Sequence, residues 1–325
     1  MTTARSTSKD SRFPFPAVAN GWFRLAYSDE LAAGQVLTLS LLDRELVLYR
    51  DEQGTAHAVD AYCPHLGAHL GHGGKVEGSG IRCPFHNWLW MADGSCGDIP
   101  YSDHVPPRAR IHCWPLAESN GIIMAWHHDS GLAPSFEIPA LPELKSPDWT
   151  PLVVRKWTVK SRWLDMNENA VDQAHFEYVH GTATQPATTA EINGHLLKCR
   201  SRMKMSTPRG EIDGGIDTDD HGPGFQVVRV HGELETLMIN TATPIDDELT
   251  DVSFAYSIKA GGDDKLIEGI GASIIRDLEK QVAQDIVIWE HKRYHRRPLL
   301  CEADGPLSVY RQWMSQFFSE GAMTS

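Results

Sequence analysis

Two short segments, Cys63-Pro64-His65 and Cys83-Pro84-Phe85-His86, constrain what this chain can fold into more than any other feature, and 17 residues separate them. Each offers one thiolate and one imidazole, so together they supply two sulfurs and two nitrogens. Two occupants suit that donor set: a tetrahedral zinc ion, or a [2Fe–2S] cluster in which two histidines replace two cysteines on one iron. The first would be a structural staple and the second an electron carrier. Ligand order bears on the choice. Zinc modules commonly pair cysteine with cysteine and histidine with histidine, whereas each segment here carries one of each. That order suits two thiolates on one iron and two imidazoles on the other. The glycines around the segments, among them Gly67, Gly73 and Gly74, fit backbone that turns tightly or approaches inorganic sulfide closely.

Written as C-P-H-L-G-A followed by C-P-F-H-N-W-L-W, the region resembles the Rieske family. The resemblance implies a [2Fe–2S] cluster held by Cys63, His65, Cys83 and His86 in an N-terminal all-β domain. Respiratory members carry an extra cysteine in each loop, joined as a disulfide. The matching positions here are Ala68 and Phe85, so the resemblance is to the ferredoxin and oxygenase branch. One departure stands out: the glycine common after the second histidine is Asn87.

A chain of 325 residues exceeds one such domain, so a second domain with its own core is expected. Hydrophobic content of 41% and charged content of 22% are ordinary for a globular protein. The net charge of −13 argues against a nucleic-acid partner. With no signal peptide and no long apolar run for a membrane span, a cytoplasmic location is expected. Cys96, Cys113, Cys199 and Cys301 are scattered and read as buried, reduced thiols.

The polar opening residues predict a disordered tail over 1–15, followed by the cluster domain over 16–135 and a second domain over 136–325. Proline-rich sequence between Pro139 and Pro151 marks the boundary. Alternating apolar residues predict short strands in 34–60 and at Gly121–Trp126. Beyond the boundary, strands are expected near Leu152–Val159, Leu196–Met205, Gln226–Val230, Leu234–Ile239 and Val252–Ile258. A long helix is expected over Ala272–His295. The acidic, glycine-rich stretch Glu211–Gly224 reads as an exposed, mobile loop.

A second constellation lies in NENAVDQAHFEYVHG. Asp172 and His175 are three apart and share a helix face. His180 is five further on, which a regular helix turns away by about 140°. A helix ending near Val179, with Gly181 just past it, would bring His180 round. Alone, two histidines at this spacing fit a surface or core role as well as a metal site. On the long helix, Leu278, Val282, Ile286 and Trp289 form an apolar stripe with Asp285 at its centre. An aspartate facing a core must be paired, neutralised or bound to a cation. The alternatives are an ion pair, with Arg162 as a candidate partner, or a place as third ligand beside His175 and His180. Two histidines and a carboxylate make the facial set of non-haem Fe(II) oxygenases.

The pattern N-x2-D-x2-H-x4-H, at Asn169, Asp172, His175 and His180, resembles the mononuclear iron motif of Rieske oxygenases. That motif and the tail Q-D-I-V-I-W-E-H-K-R-Y-H-R-R-P-L-L-C-E-A-D-G-P are similar to the 3-ketosteroid 9α-hydroxylase oxygenase components and the related cholesterol 7-desaturases. The resemblance runs from about residue 13 to 318. It implies an α+β architecture: the Rieske domain, then a helix-grip, START-like catalytic domain with an antiparallel sheet and a long C-terminal helix. It implies Fe(II) on His175, His180 and Asp285, with Asn169 beside the site and O2 as co-substrate. It gives Asp172 the role of bridging a cluster histidine of one subunit to an iron histidine of the next, hence a homo-oligomer, commonly a trimer. It also implies an NADH-dependent flavin and iron–sulfur reductase as partner and hydroxylation of a 3-ketosteroid or sterol. The alternatives are desaturation of a sterol, or oxidation of an aromatic or other small-ring substrate. Met203, Met205, Met238, Phe176, Trp289 and Val171 are candidate lining for an apolar pocket, although each taken singly reads more readily as plain core.

Overall fold

The computed structural model describes residues 12–319, apart from 183, 208–209 and 262–266. These fall into two compact units, one over Trp22–Pro139 and one made of the residues up to Gly21 together with those from Ala140 onward. The boundaries read from sequence, 15/16 and 135/136, differ from these by a few residues. Residues 1–11 of the expected tail lie outside the described residues. Its last residues are ordered, because Phe13 and Phe15 are buried and Phe15 packs edge-on to Tyr294 at 5.0 Å.

The Trp22–Pro139 unit is built from β-strands in three sheets. One joins β1 (Gly21–Tyr27) to β11 (Ile122–His127) and β10 (Leu116–Ser119). A second runs in the order β2 (Val36–Leu41), β3 (Arg44–Arg50), β4 (Ala56–Asp60), β9 (Cys113–Trp114). The third is a small meander of β5 (Lys75–Glu77), β6 (Gly80–Arg82), β7 (Leu89–Trp90) and β8 (Cys96–Asp98). Val47, Val59, Leu70, Ile81 and Trp90 bury their side chains in one cluster that also contains Cys63 and Cys83. Burying each aliphatic side chain stabilises the unit by about 1.5–3 kcal/mol, and the two cysteines are anchored within that buried cluster.

The second unit is dominated by a seven-stranded antiparallel sheet. Its strands are β12 (Val153–Val159), β13 (Ala187–Asn193), β14 (Leu196–Thr207), β15 (Gly210–His221), β16 (Phe225–His231), β17 (Thr236–Pro244) and β18 (Thr250–Ile258). Six of them form a meander, and β12 closes the edge beside β18. Two short helices, α1 (Trp163–Asn167) and α2 (Ala174–Tyr178), link β12 to β13. The long α3 (Ala272–His291) packs Ile275 and Leu278 onto Val228, Met238 and Tyr256 of the sheet. Near the C-terminus, α4 (Leu307–Ser315) buries Tyr310, Trp313 and Met314.

Several expectations need correction. The acidic stretch Glu211–Gly224 is no loop: most of it is β15, paired on both sides by β14 and β16. Asp217 and Asp219 face one way and are matched by Arg200, Arg202 and Arg229, while Ile216, Thr218 and Asp220 alternate to the other face. Cross-strand pairing of opposite charges removes the penalty that composition alone suggested. The edge strand β13 escaped notice because it is mostly exposed and gives no buried alternation. The long helix stops at His291 instead of His295, where Arg12 donates to the carbonyls of Trp289, Glu290 and Lys292 at 2.7, 2.7 and 3.1 Å. A cation on those last carbonyls is a favourable helix end. Cys96 and Cys199 are buried as expected, but Cys113 is only partly covered and Cys301 is exposed. Among the described residues no helix is long and apolar enough to cross a membrane.

Candidate metal centres

The two cysteine–histidine loops have the same backbone design. Gly67 N–H donates to Cys63 O at 2.9 Å, and Cys63 N–H donates to Ala68 O at 2.8 Å. In the second loop Asn87 N–H donates to Cys83 O at 3.1 Å and Cys83 N–H to Trp88 O at 2.9 Å. Each turn needs a left-handed residue four after its cysteine, and Gly67 (φ 75°) and Asn87 (φ 57°) supply it. Asparagine is among the few non-glycine residues that tolerate this region, which is why the departure at Asn87 is accommodated. Asn87→Gly is therefore expected to leave thermal stability and cluster content unchanged. Asn87→Val should cost about 1–2 kcal/mol and lower the cluster content per chain, read from visible absorption and thermal unfolding.

Cys63 and Cys83 are buried, whereas His65 and His86 lie closer to the surface. The two imidazoles sit edge to face at 4.8 Å, and His65 stacks on Trp88 at 4.5 Å. Trp90 Nε1–H donates to Cys63 Sγ at 3.3 Å. Burial pushes the Cys63 thiol above its ordinary range, and the neighbouring Cys83 acts in the same direction. Two adjacent buried sulfurs become thiolates only when positive charge joins them. His86 Nδ1 is likewise buried without a hydrogen-bond partner. This donor set fits an iron–sulfur cluster, with sulfurs inward and imidazoles toward solvent.

In the second unit His175, His180 and Asp285 bring one ligand atom each within 4.8 Å of one another. The local chain explains how the two histidines meet. At the end of α2, both Val179 N–H and His180 N–H turn back to His175 O, at 2.8 and 3.4 Å. This widened turn carries His180 toward the His175 face. Gly181 (φ 72°) then reverses the chain, and Thr182 N–H closes onto Phe176 O at 3.0 Å. The Asp172 carboxylate accepts from the N–H groups of Ala174 and His175 at 3.1 and 3.3 Å and so fixes the start of α2.

Both imidazoles are oriented by their Nδ1 atoms. His175 Nδ1 lies 2.7 Å from Asp172 O, and His180 Nδ1 lies 3.1 Å from Gln284 Oε1. Each acceptor is an oxygen, so Nδ1 carries the proton and Nε2 keeps a lone pair for a metal. His180 Nε2 is 3.4 Å from Asp285 Oδ1. Burial holds His175 below the usual imidazole range, while at His180 burial is outweighed by Asp285, which raises it. A divalent cation among the three would meet the same electrostatic demand as that proton. The arrangement fits a two-histidine, one-carboxylate iron site with open positions. Arg162, the rival partner for Asp285, instead donates to Phe15 O and Asp247 O. Losing the Gln284 contact should matter: Gln284→Leu is expected to weaken iron binding about 10- to 100-fold without altering the cluster, measured by metal titration.

A pocket opens beside this triad, walled by α2, α3 and the sheet. Phe176, Met238 and Trp289 line it, but Met203, Met205 and Val171 do not: Met203 and Val171 are buried in the core, and Met205 is partly exposed. Asn169 also lines it and accepts from Trp289 Nε1–H at 3.4 Å. Sequence reasoning missed Gln284 and the polar residues Asn167, Gln226 and Asn240, because a lone amide carries no pattern.

Family patterns match both units: that of the Rieske [2Fe–2S] domain at residues 21–115, and that of the 3-ketosteroid 9α-hydroxylase C-terminal domain at 125–318. The chain belongs to the Rieske non-haem iron monooxygenases. The zinc alternative falls with the first match, and the oxygenase's cofactors are a [2Fe–2S] cluster and a mononuclear iron that works with O2. This Rieske oxygenase is 31% identical to a probable 3-ketosteroid-9-alpha-monooxygenase oxygenase component of Rhodococcus rhodochrous, across 92% of this chain and 80% of that one. It is 30% identical to a cholesterol 7-desaturase of Xenopus laevis, across 94% and 73% of the two chains. Its fold matches that of dicamba monooxygenase bound to dicamba with a TM-score of 0.75, at 20% identity over 93% of this chain and 98% of that one.

Proposed function

We propose that this oxygenase hydroxylates a hydrophobic ring system of steroid type, a 3-ketosteroid or a sterol. The observation that carries the reading is the pocket beside His175, His180 and Asp285. Val228, Met238, Val252, Phe254, Leu278 and Val282 contribute apolar walls, and no Lys or Arg is among its described lining residues. An aromatic acid would want a cation there for its carboxylate. The relatives named for steroid 9-alpha oxidation and cholesterol desaturation support the same substrate class.

His175, His180 and Asp285 would hold the Fe(II), and Cys63, His65, Cys83 and His86 the cluster. Bound there, the cluster would supply one-electron transfer from a reductase, and the iron would supply O2 activation for attack on a C–H bond. The protein's part is position and dryness. Phe176 and Trp289 give the pocket beside the triad an apolar lining, while Asp172 O and Gln284 hold the two imidazoles in one tautomer. Asp172 keeps a partly exposed carboxylate. It is free to accept a hydrogen bond from a cluster histidine of a neighbouring copy. On this reading the working unit is a ring, a homotrimer, supplied by an NADH-dependent flavin and iron–sulfur reductase in the cytoplasm.

Turnover tests the reading, with a generic reductase and a panel of 3-ketosteroids, sterols and aromatic acids. Product from the steroids or sterols alone is expected. Oxidation confined to aromatic acids would remove the steroid assignment and leave the metal sites standing.

A further inference from the structure

The pocket is not apolar throughout. Three polar side chains face each other across adjacent strands in one register row: Asp220 of β15 opposite Gln226 of β16, and Gln226 opposite Asn240 of β17. Gln226 and Asn240 line the pocket, as does Asn167 of α1. Asp220 lies behind them, fully buried.

The row has a direction. Asp220 Oδ1 accepts from Gln226 Nε2 at 2.9 Å and from Asn167 Nδ2 at 3.4 Å. Burial raises the Asp220 pKa to about 7, and once ionised its carboxylate can only accept, so both amides turn their N–H groups toward Oδ1 while Oδ2 stays unpartnered. Gln226 must therefore point its nitrogen at Asp220 and its oxygen at Asn240. Asn240 Nδ2 donates to that oxygen at 2.8 Å. Asn240 Oδ1 is then left over, buried and without a hydrogen bond. An amide is ordinarily free to exchange its ends. Here the buried carboxylate two residues away in the chain of contacts holds it one way round.

We propose that Asn240 is a specificity-determining residue that presents a hydrogen-bond acceptor to the pocket and selects a substrate bearing a hydroxyl donor over the corresponding ketone. The inference rests on the steroid-type reading of the pocket and sharpens it. A hydroxyl donates to Asn240 Oδ1 and satisfies it. A ketone oxygen placed there sets acceptor against acceptor and leaves both without a partner, an arrangement that costs far more than a missing apolar contact. Asp220 and Gln226 are positioning residues that act by fixing which end of Asn240 is free; Asp220 lies outside the pocket lining altogether.

The test compares cholestanol with cholestanone, which share one skeleton and differ in hydroxyl against ketone. For the wild-type enzyme, KM for the alcohol is expected to be on the order of tenfold lower than for the ketone, with similar kcat. Asn240→Leu removes the acceptor, and Asp220→Asn lets the row reverse, since an asparagine can donate to Gln226. Both should bring the KM ratio close to one, while cluster absorption and iron content, measured in the same samples, report intact folding. A ratio near one in the wild type, or one unchanged in both variants with their metals loaded, overturns the inference and leaves the steroid reading in place. Turnover of neither compound by the loaded wild-type enzyme overturns the inference, and the panel of 3-ketosteroids, sterols and aromatic acids decides the steroid reading separately.

Discussion

Replacing Asp285 by asparagine should strip the mononuclear iron and lower turnover at least about a thousandfold, while the red-brown cluster remains. The side chain keeps its size, so packing of α3 on the sheet is little disturbed. What changes is charge. Asp285 is the anionic member of a donor set whose other two members are imidazoles already oriented through Nδ1. Without the carboxylate, a divalent ion at Nε2 of His175 and His180 has no charge-neutralising ligand, and the cost of burying it rises by several kcal/mol. Iron analysis and cluster absorption on the same sample separate the two centres. Full iron occupancy in Asp285→Asn would remove Asp285 from the ligand set and return it to the status of a buried ion-pair partner of His180.

Asp172→Asn should retain both metals and still lose about 100-fold or more in turnover. Asparagine can keep accepting the N–H groups of Ala174 and His175 through its Oδ1, so the start of α2 is preserved. The negative charge is lost, and with it the strong acceptor available to a histidine of a neighbouring copy. A co-expression experiment isolates the subunit question. Chains disabled at the cluster by Cys63→Ser and chains disabled at the iron by His175→Ala are each inactive alone. Mixed oligomers should recover activity if electrons cross between chains. Inactive mixtures, formed in good yield, would show that each chain serves its own iron, and the proposed trimer would lose its functional reason.

Local chemistry was readable to the extent that it depends on residues close in sequence. The C-x-H and C-x2-H segments, the Asp172–His175 spacing and the turn at Gly181 are all set within a few residues, and periodicity put Asp285 on the buried face of α3. Tertiary packing overrode composition elsewhere. Glu211–Gly224 read as solvated because its acids outnumber its apolar residues. In the sheet, two of those acids meet arginines across the strand, and Asp220 turns inward on the alternate face. Register decides that difference, and a one-residue slip would exchange the two sets. Arg12 could not be recognised as the stop for α3, since its partners lie more than 270 residues away.

By itself the sequence determined the C-x-H, C-x2-H and D-x2-H-x4-H segments, because residue type and short spacing are covalent properties of the chain. The tertiary structure alone decided that Asp285 meets His180 across 105 residues and that Gln284 selects its tautomer. It also decided that one carboxylate, Asp220, sets the direction of a polar row in an apolar pocket. The reason is physical: a hydrogen bond or a metal ligand requires atoms to converge within a few ångströms, and only the packing of α3 and the strand register bring them there.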